Sequence, residues 1–165
     1  MVILLSLLRT ANFVFVDESG LSRQYRREMA RAKRGTKVHG KMSGKKYAKT
    51  NVIAGVCNNK HVAVRCYEHS TTAAFFEEWF EWELLSVIPQ GSLIIMDNAA
   101  FHRKDKLHEI AARYGFFVLF LPPYSPEFNP IEKSWANLKR WLKGNLNRFP
   151  AIDFAVEWYF LECCC

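Results

Sequence analysis

Leu121-Pro122-Pro123-Tyr124-Ser125-Pro126-Glu127-Phe128-Asn129-Pro130-Ile131-Glu132-Lys133-Ser134-Trp135 is the stretch whose reading decides the fold. Pro122, Pro123 and Pro126 fix φ and remove backbone donors, so the first half is a stiff loop. A helix then begins. Asn129 suits the N-cap, Pro130 the first helical turn, and Glu132 the third helical position. Ile131, Trp135, Leu138 and Leu142 follow at i, i+4, i+7 and i+11, an apolar stripe that leaves Glu132, Lys139, Arg140 and Lys143 off the buried seam. Two readings of Glu132 compete. Asn followed three residues later by Glu resembles a capping box, in which the carboxylate satisfies the helix's own N–H groups. Alternatively, a rigid helix start presents an acid for chemistry.

Upstream, Phe116 to Leu121 is a strand that feeds the proline loop. A helix from about Lys104 to Tyr114 precedes it, with Gly115 as its stop. Ser92 to Met96 is apolar apart from Ser92, predicts a buried strand, and delivers Asp97-Asn98 at its end. Asn12 to Glu18 repeats the arrangement: Phe13 to Val16 are all apolar, which predicts a central strand covered on both faces, with Asp17 at its end and a turn at Ser19-Gly20. A turn-forming Asp explains Asp17 equally well when that residue is taken alone. Glu18 should point to the opposite face and is secondary. Two acids at strand ends in one small domain suggest a shared site, because ligands of open α/β sheets lie there.

Between these acids, Thr50 to Cys57 and His61 to Tyr67 read as a hairpin closed at Asn58-Asn59-Lys60. Thr71 or Thr72 caps a helix to Ile88 with Phe75, Phe76, Trp79, Phe80, Leu84, Val87 and Ile88 along it. That stripe reads as core, not as a base-stacking platform. Pro150 to Leu161 is a last amphipathic helix. The order is strand, hairpin, helix, strand, helix, strand, helix, helix.

At 165 residues, 50% hydrophobic and 24% charged, the chain has ordinary globular composition and is long enough for one buried core. The formal net charge is +7. Its source is local: Arg23, Arg26, Arg27, Arg31, Lys33, Arg34, Lys37, Lys41, Lys45, Lys46 and Lys49 stand against the single acid Glu28, a balance of +10. A solvated loop is one reading. Phosphate contact is the favoured one, and it supplies affinity without sequence choice. Five cysteines without CxxC spacing argue against a structural zinc site, and their odd number argues against a disulfide framework. A reducing, cytoplasmic and nucleoid-associated setting is expected. Met1 to Leu8 is too short to span a bilayer and lacks the form of a secretory signal.

V-D-E-S at 16–19, I-M-D-N-A-A-F-H at 95–102 and L-P-P-Y-S-P-E-F-N-P-I-E-K-S-W at 121–135 together resemble the catalytic domain of DDE transposases. They are most similar to the insertion-sequence branch of the mariner-like superfamily. The 34 residues between Asp97 and Glu132 match that branch. The resemblance runs from about Asn12 to about Phe160. It implies an α/β, ribonuclease-H-like fold: a mixed five-stranded sheet with helices on both faces. The expected organisation is an apolar linker remnant at 1–11, the endonuclease domain at 12–161 and a tail at 162–165.

Carried over to this chain, the resemblance makes Asp17, Asp97 and Glu132 catalytic and metal-holding. Asn98 and His102 become auxiliary groups, although His102 is equally readable as a plain helix-start histidine. Two Mg²⁺ or Mn²⁺ ions are implied, since hard cations take carboxylate oxygens. Two carboxylates about 4 Å apart repel by roughly 4 kcal/mol at an effective dielectric near 20, so such a cluster calls for a cation. The implied activity is cleavage of phosphodiesters at transposon ends and joining of 3′-hydroxyls to target DNA. The implied partner is double-stranded DNA, contacted by the basic segment and by Lys139, Arg140 and Lys143. A homodimer and a separate or upstream helix-turn-helix segment are further expectations of the resemblance. Relatives carry that segment before the catalytic domain, which leaves a fragment, a second reading frame or a degraded copy as readings of this chain. A stand-alone nuclease and a DNA-binding descendant without catalysis are the alternatives.

Overall fold

The computed structural model describes residues 12–22, 49–122 and 129–162. Five strands form one mixed sheet in the order β3-β2-β1-β4-β5. β1 (Phe13–Ser22) is central. It pairs antiparallel with β2 (Lys49–Cys57) and parallel with β4 (Leu93–Met96). β3 (Lys60–Tyr67) and β5 (Phe117–Phe120) are the edges.

β1 does not turn at Ser19-Gly20. It runs on to Ser22, paired with Lys49 of β2. Its parallel partner stops earlier, at Val16 opposite Met96. Asp17 is therefore not at the end of its own strand. It stands where β1 loses its neighbour on one side, and this leaves a notch at the carboxyl end of β4.

The β2–β3 turn is tighter than the sequence suggested. Cys57 pairs with Lys60, so Asn58 and Asn59 alone make the turn, with φ of 50° and 64°. Both central residues at positive φ define a type I′ turn, whose twist matches that of the strands. Farther along, a β-bulge between Ile53 and Gly55 places Ala63 at φ 51° and frees its carbonyl for the Trp79 indole N–H, 2.8 Å away.

Helices cover both faces. On one lies α1, residues 73–87, capped by the Thr72 hydroxyl accepting from the Phe75 N–H. Its middle, Phe80–Leu84, widens to π-helical pitch before Leu85–Val87 closes it. This shift turns Leu85 inward and leaves Val87 exposed, against the even stripe expected. α2 (Lys104–Arg113) packs beside it and ends as anticipated at Gly115, whose φ is 75°. Phe76, Trp79, Phe80, Leu84, Ile94, Met96 and Leu107 are fully buried here with Val14 and Val16. Each such Phe or Leu contributes about 1.5–3 kcal/mol over exposure.

The opposite face carries α3 (Ile131–Asn145) and α4 (Ile152–Glu162). Ile131, Trp135, Leu138 and Leu142 are all buried against Leu21, Val52 and Ala54. No helix among the described residues is long and apolar enough to cross a membrane.

Candidate active site

Strand parity decides where Asp17 goes. Val14 and Val16 belong to the core under α1 and α2, so Asp17, one residue on, faces α3. There the indole Nε1–H of Trp135 donates to Asp17 Oδ2 at 2.9 Å. A second fastening lies beside it. The buried Asn129 side chain donates through Nδ2 to the Val16 carbonyl at 3.2 Å, and its Oδ1 accepts from the Ile131 N–H at 3.4 Å. The start of α3 is thus pinned to β1 on either side of the Asp17 peptide. Burial, with the neighbouring Glu18 charge, raises Asp17 to a pKa of about 7. Donation from the Glu18 N–H and from Trp135 opposes the rise, and the charge of Glu132 adds a smaller push upward.

Glu132 is exposed on the first turn of α3. The helix starts at Ile131, so Glu132 is its second residue and not the third position expected. Pro130, with φ −64° and ψ −17°, already has helical dihedrals and occupies the cap, while the Asn129 oxygen serves Ile131. The capping box does not form. Among the described residues the Glu132 carboxylate has no hydrogen-bond partner, and its charge is felt at Asp17.

Asp97 follows Met96, the last paired residue of β4, as Asp17 follows Val16, so the register sets the two residues side by side. Asp97 Oδ1 accepts from the Ala99 N–H at 3.1 Å and lies 3.4 Å from His102 Nδ1. Its side chain is half exposed, and Asn98 is exposed. His102 is buried, its Nδ1 3.1 Å from the Asp97 carbonyl. The structure brings Asp17 to Glu132 and, by register, to Asp97. It does not gather the three carboxylates at one point, because Asp97 is turned onto its own loop. Among the described residues no three of His, Cys, Asp and Glu lie close enough to hold one ion.

The basic residues Arg23, Arg26, Arg27, Arg31, Lys33, Arg34, Lys37, Lys41, Lys45 and Lys46 lie outside the described residues. On α3, Arg140 and Lys143 are exposed and Lys139 is half-buried. Arg140 donates to Asn137 Oδ1 at 3.2 Å. A cleft of about 410 Å³ opens at the far end of β1, lined by Phe13, Phe15, Asn58, His61, Pro130 and Ser134 among others. None of the three acids lines it.

Sequence reasoning missed two groups. Trp135 was read as core packing only. A nearly buried indole still needs an acceptor for its one donor, and that is the signal that could have pointed to Asp17. Glu18 was set aside as the residue on the opposite face. It does face that way, and its Oε1 lies 3.7 Å from His102 Nε2.

The central pair of parallel strands, each leading to an acid, with a helix laid across them that carries a third, defines a ribonuclease-H-like endonuclease domain. The chain belongs to the DDE superfamily endonuclease family, whose model matches residues 12–153. Among solved structures it is similar to the Mos1 mariner paired-end complex with Mn, at 15% identity and a TM-score of 0.72, covering 98% of this chain and 52% of that one. The Mos1 transposase catalytic domain with Raltegravir and Mg gives 15% identity and a TM-score of 0.66, covering 98% and 78%. The catalytic core domain of BIV integrase gives 13% and 0.55, covering 90% and 80%. At these identities the likeness is one of fold. The chain spans about half the length of the Mos1 chains in the DNA-end and strand-transfer complexes it matches. No curated protein matches the sequence.

Proposed function

We propose that this chain is the catalytic domain of a transposase, a metal-dependent enzyme that cleaves phosphodiesters at DNA ends and joins the 3′-hydroxyls to target DNA. The observation that carries the reading is Asp17. It is a carboxylate fixed by Trp135, largely buried, and pressed by Glu18 and Glu132 until its pKa reaches about 7. Placing an acid so that its own ionisation is resisted is costly, and a bound cation removes the cost. The donor set fits Mg²⁺ or Mn²⁺, since Asp17, Asp97 and Glu132 offer only hard oxygens. Those three residues would hold the ions. Such ions, when bound, neutralise the phosphate and activate the attacking oxygen.

The chain's own residues do the rest. The Trp135 N–H holds Asp17 Oδ2, which fixes the carboxylate's orientation. Asn129 keeps the start of α3, and so Glu132, in register with β1. Lys139, Arg140 and Lys143, with the basic segment 23–46, supply phosphate contacts on double-stranded DNA. The Mos1 complexes with transposon ends support a DNA partner. A separate or upstream DNA-reading segment of helix-turn-helix type, which would choose the ends, belongs to the same proposal.

The test is a nicking assay on duplex DNA with Mg²⁺ or Mn²⁺. Nicking that disappears with chelator and with Glu132→Gln supports the proposal. Metal-dependent nicking that never yields joined products narrows the chain to a nuclease. Binding of DNA with no nicking under either metal refutes catalysis.

A further inference from the structure

Two buried polar atoms on the α1/α2 side of β1 have no hydrogen-bond partner among the described residues: Glu18 Oε1 and His102 Nε2. They lie 3.7 Å apart, on side chains 14% and 1% exposed respectively. An unmatched buried donor or acceptor is costly, and each one in a native structure calls for an explanation. The two atoms face each other as an ion-pair contact between side chains of β1 and of the loop after β4.

The other nitrogen of the ring explains what the pair is for. His102 Nδ1 lies 3.1 Å from the Asp97 carbonyl, which can only accept, so Nδ1 carries a proton and donates. It also faces Asp97 Oδ1 at 3.4 Å. The ring itself cannot tilt freely. Phe76 lies 4.3 Å from it and Phe101 4.6 Å, centroid to centroid. An imidazole clamped between aromatics, tied at one nitrogen to the Asp97 loop and aimed at Glu18 with the other, forms a rigid strut between β1 and the end of β4.

We propose that Glu18 is a positioning residue of the active site, which fixes Asp97 through His102. β1 then supplies two acids with different duties. Asp17 faces the ligand, and Glu18, on the reverse of the same strand, steadies the second acid from behind. The link is one of position: it needs a polar side chain of the length of Glu18 packed against Nε2. Groups that hold a ligating side chain from behind commonly change metal affinity or activity by ~10–100-fold when removed.

This inference rests on Asp17, Asp97 and Glu132 holding metal, and its test is Mn²⁺ binding measured by calorimetry without DNA, beside thermal melting. Glu18→Gln keeps a hydrogen-bonding side chain of the same shape, and its Mn²⁺ affinity should stay within ~3-fold of the unaltered chain. The double variant Glu18→Met/His102→Phe replaces both buried partners with apolar groups of similar size, a change that often preserves stability. It should melt normally yet bind Mn²⁺ at least ~10-fold more weakly. A folded double variant with unaltered Mn²⁺ affinity overturns the proposal. If the double variant does not fold, Glu18→Leu decides in its place: a folded Glu18→Leu chain with unaltered Mn²⁺ affinity overturns the proposal, and one that melts normally but binds ~10-fold more weakly supports it. Absence of Mn²⁺ binding by the unaltered chain removes the metal-site reading itself, and this inference with it.

Discussion

Asp17 and Glu18 are adjacent, carry the same functional group and meet opposite surroundings. Asp17 faces the layer of α3 and α4, where Trp135 holds it and the exposed Glu132 lies near. Glu18 faces the layer of α1 and α2, which is closed by Phe76, Trp79, Phe80 and Leu84. That second layer is also tied down at its rim, where Arg103 grips Glu77 through two bonds of 2.6 Å. On the proposed function, one face of the sheet meets the ligand and the other stays shut. The two-residue period of a strand sorts consecutive acids between them. Chemistry should therefore be sensitive on the first face and stability on the second.

The largest expected effect tests the first half of that contrast. Asp17→Asn should lower metal-dependent nicking by about 10³-fold, the equivalent of the several kcal/mol that metal-centred charge stabilisation supplies. The same variant should melt no lower than the unaltered chain at pH 8, because an uncompensated charge has been removed. A variant that keeps its nicking rate breaks the contrast outright.

Phe80→Ala, on the closed face, should do the reverse. It removes a fully buried ring and should cost about 3–5 kcal/mol in denaturant titrations. Its nicking rate per folded molecule should be unchanged under conditions where it remains folded.

The pH dependence sharpens the picture of Asp17. Its folded pKa of about 7 lies above its unfolded value, so the folded state keeps a proton that the unfolded state has released. The associated stability is full below about pH 4 and is lost as pH rises through about 7, on the order of 2–4 kcal/mol in total. Melting in metal-free buffer should show that decline, and Asp17→Asn should remove it. Equal slopes for the two proteins would mean that Asp17 titrates normally.

Trp135→Phe gives the smallest change. It deletes one hydrogen bond to a carboxylate, worth about 1.5–3 kcal/mol when that group is ionised, and keeps most of the packing. Because the indole N–H lowers the pKa of Asp17, its removal should move the pH midpoint of Mn²⁺ binding upward, as followed by calorimetry.

Most of the architecture was legible from periodicity. The stripe Ile131, Trp135, Leu138 and Leu142 named the buried seam of α3, and the runs Phe13–Val16 and Leu93–Met96 named the two parallel strands at the centre. Lengths were less legible. Nothing local in Ser19-Gly20 reveals that β2 goes on pairing with β1 as far as Ser22, because that pairing is a property of the partner. The π-helical turn at Phe80–Leu84 escaped for the same reason: the packing of the core sets it. Of the candidate site, the motif spacing singled out the acids but could not say how their side chains turn. Asp97 bends to the Ala99 N–H, a contact two residues away, and this competes with any reach toward Asp17. The link from Glu18 to His102 joins residues far apart in the chain, and only the fold brings them together.

The bond from Asn129 to the Val16 carbonyl spans 113 positions, and this has a bearing on biosynthesis. A ribosome that stalls or terminates before residue 129 releases a product with β1, β4 and two of the acids but no clasp and no Glu132. On the proposed reading such truncated products should be inert toward DNA, because the clasp and the third acid are synthesised after all five strands of the sheet.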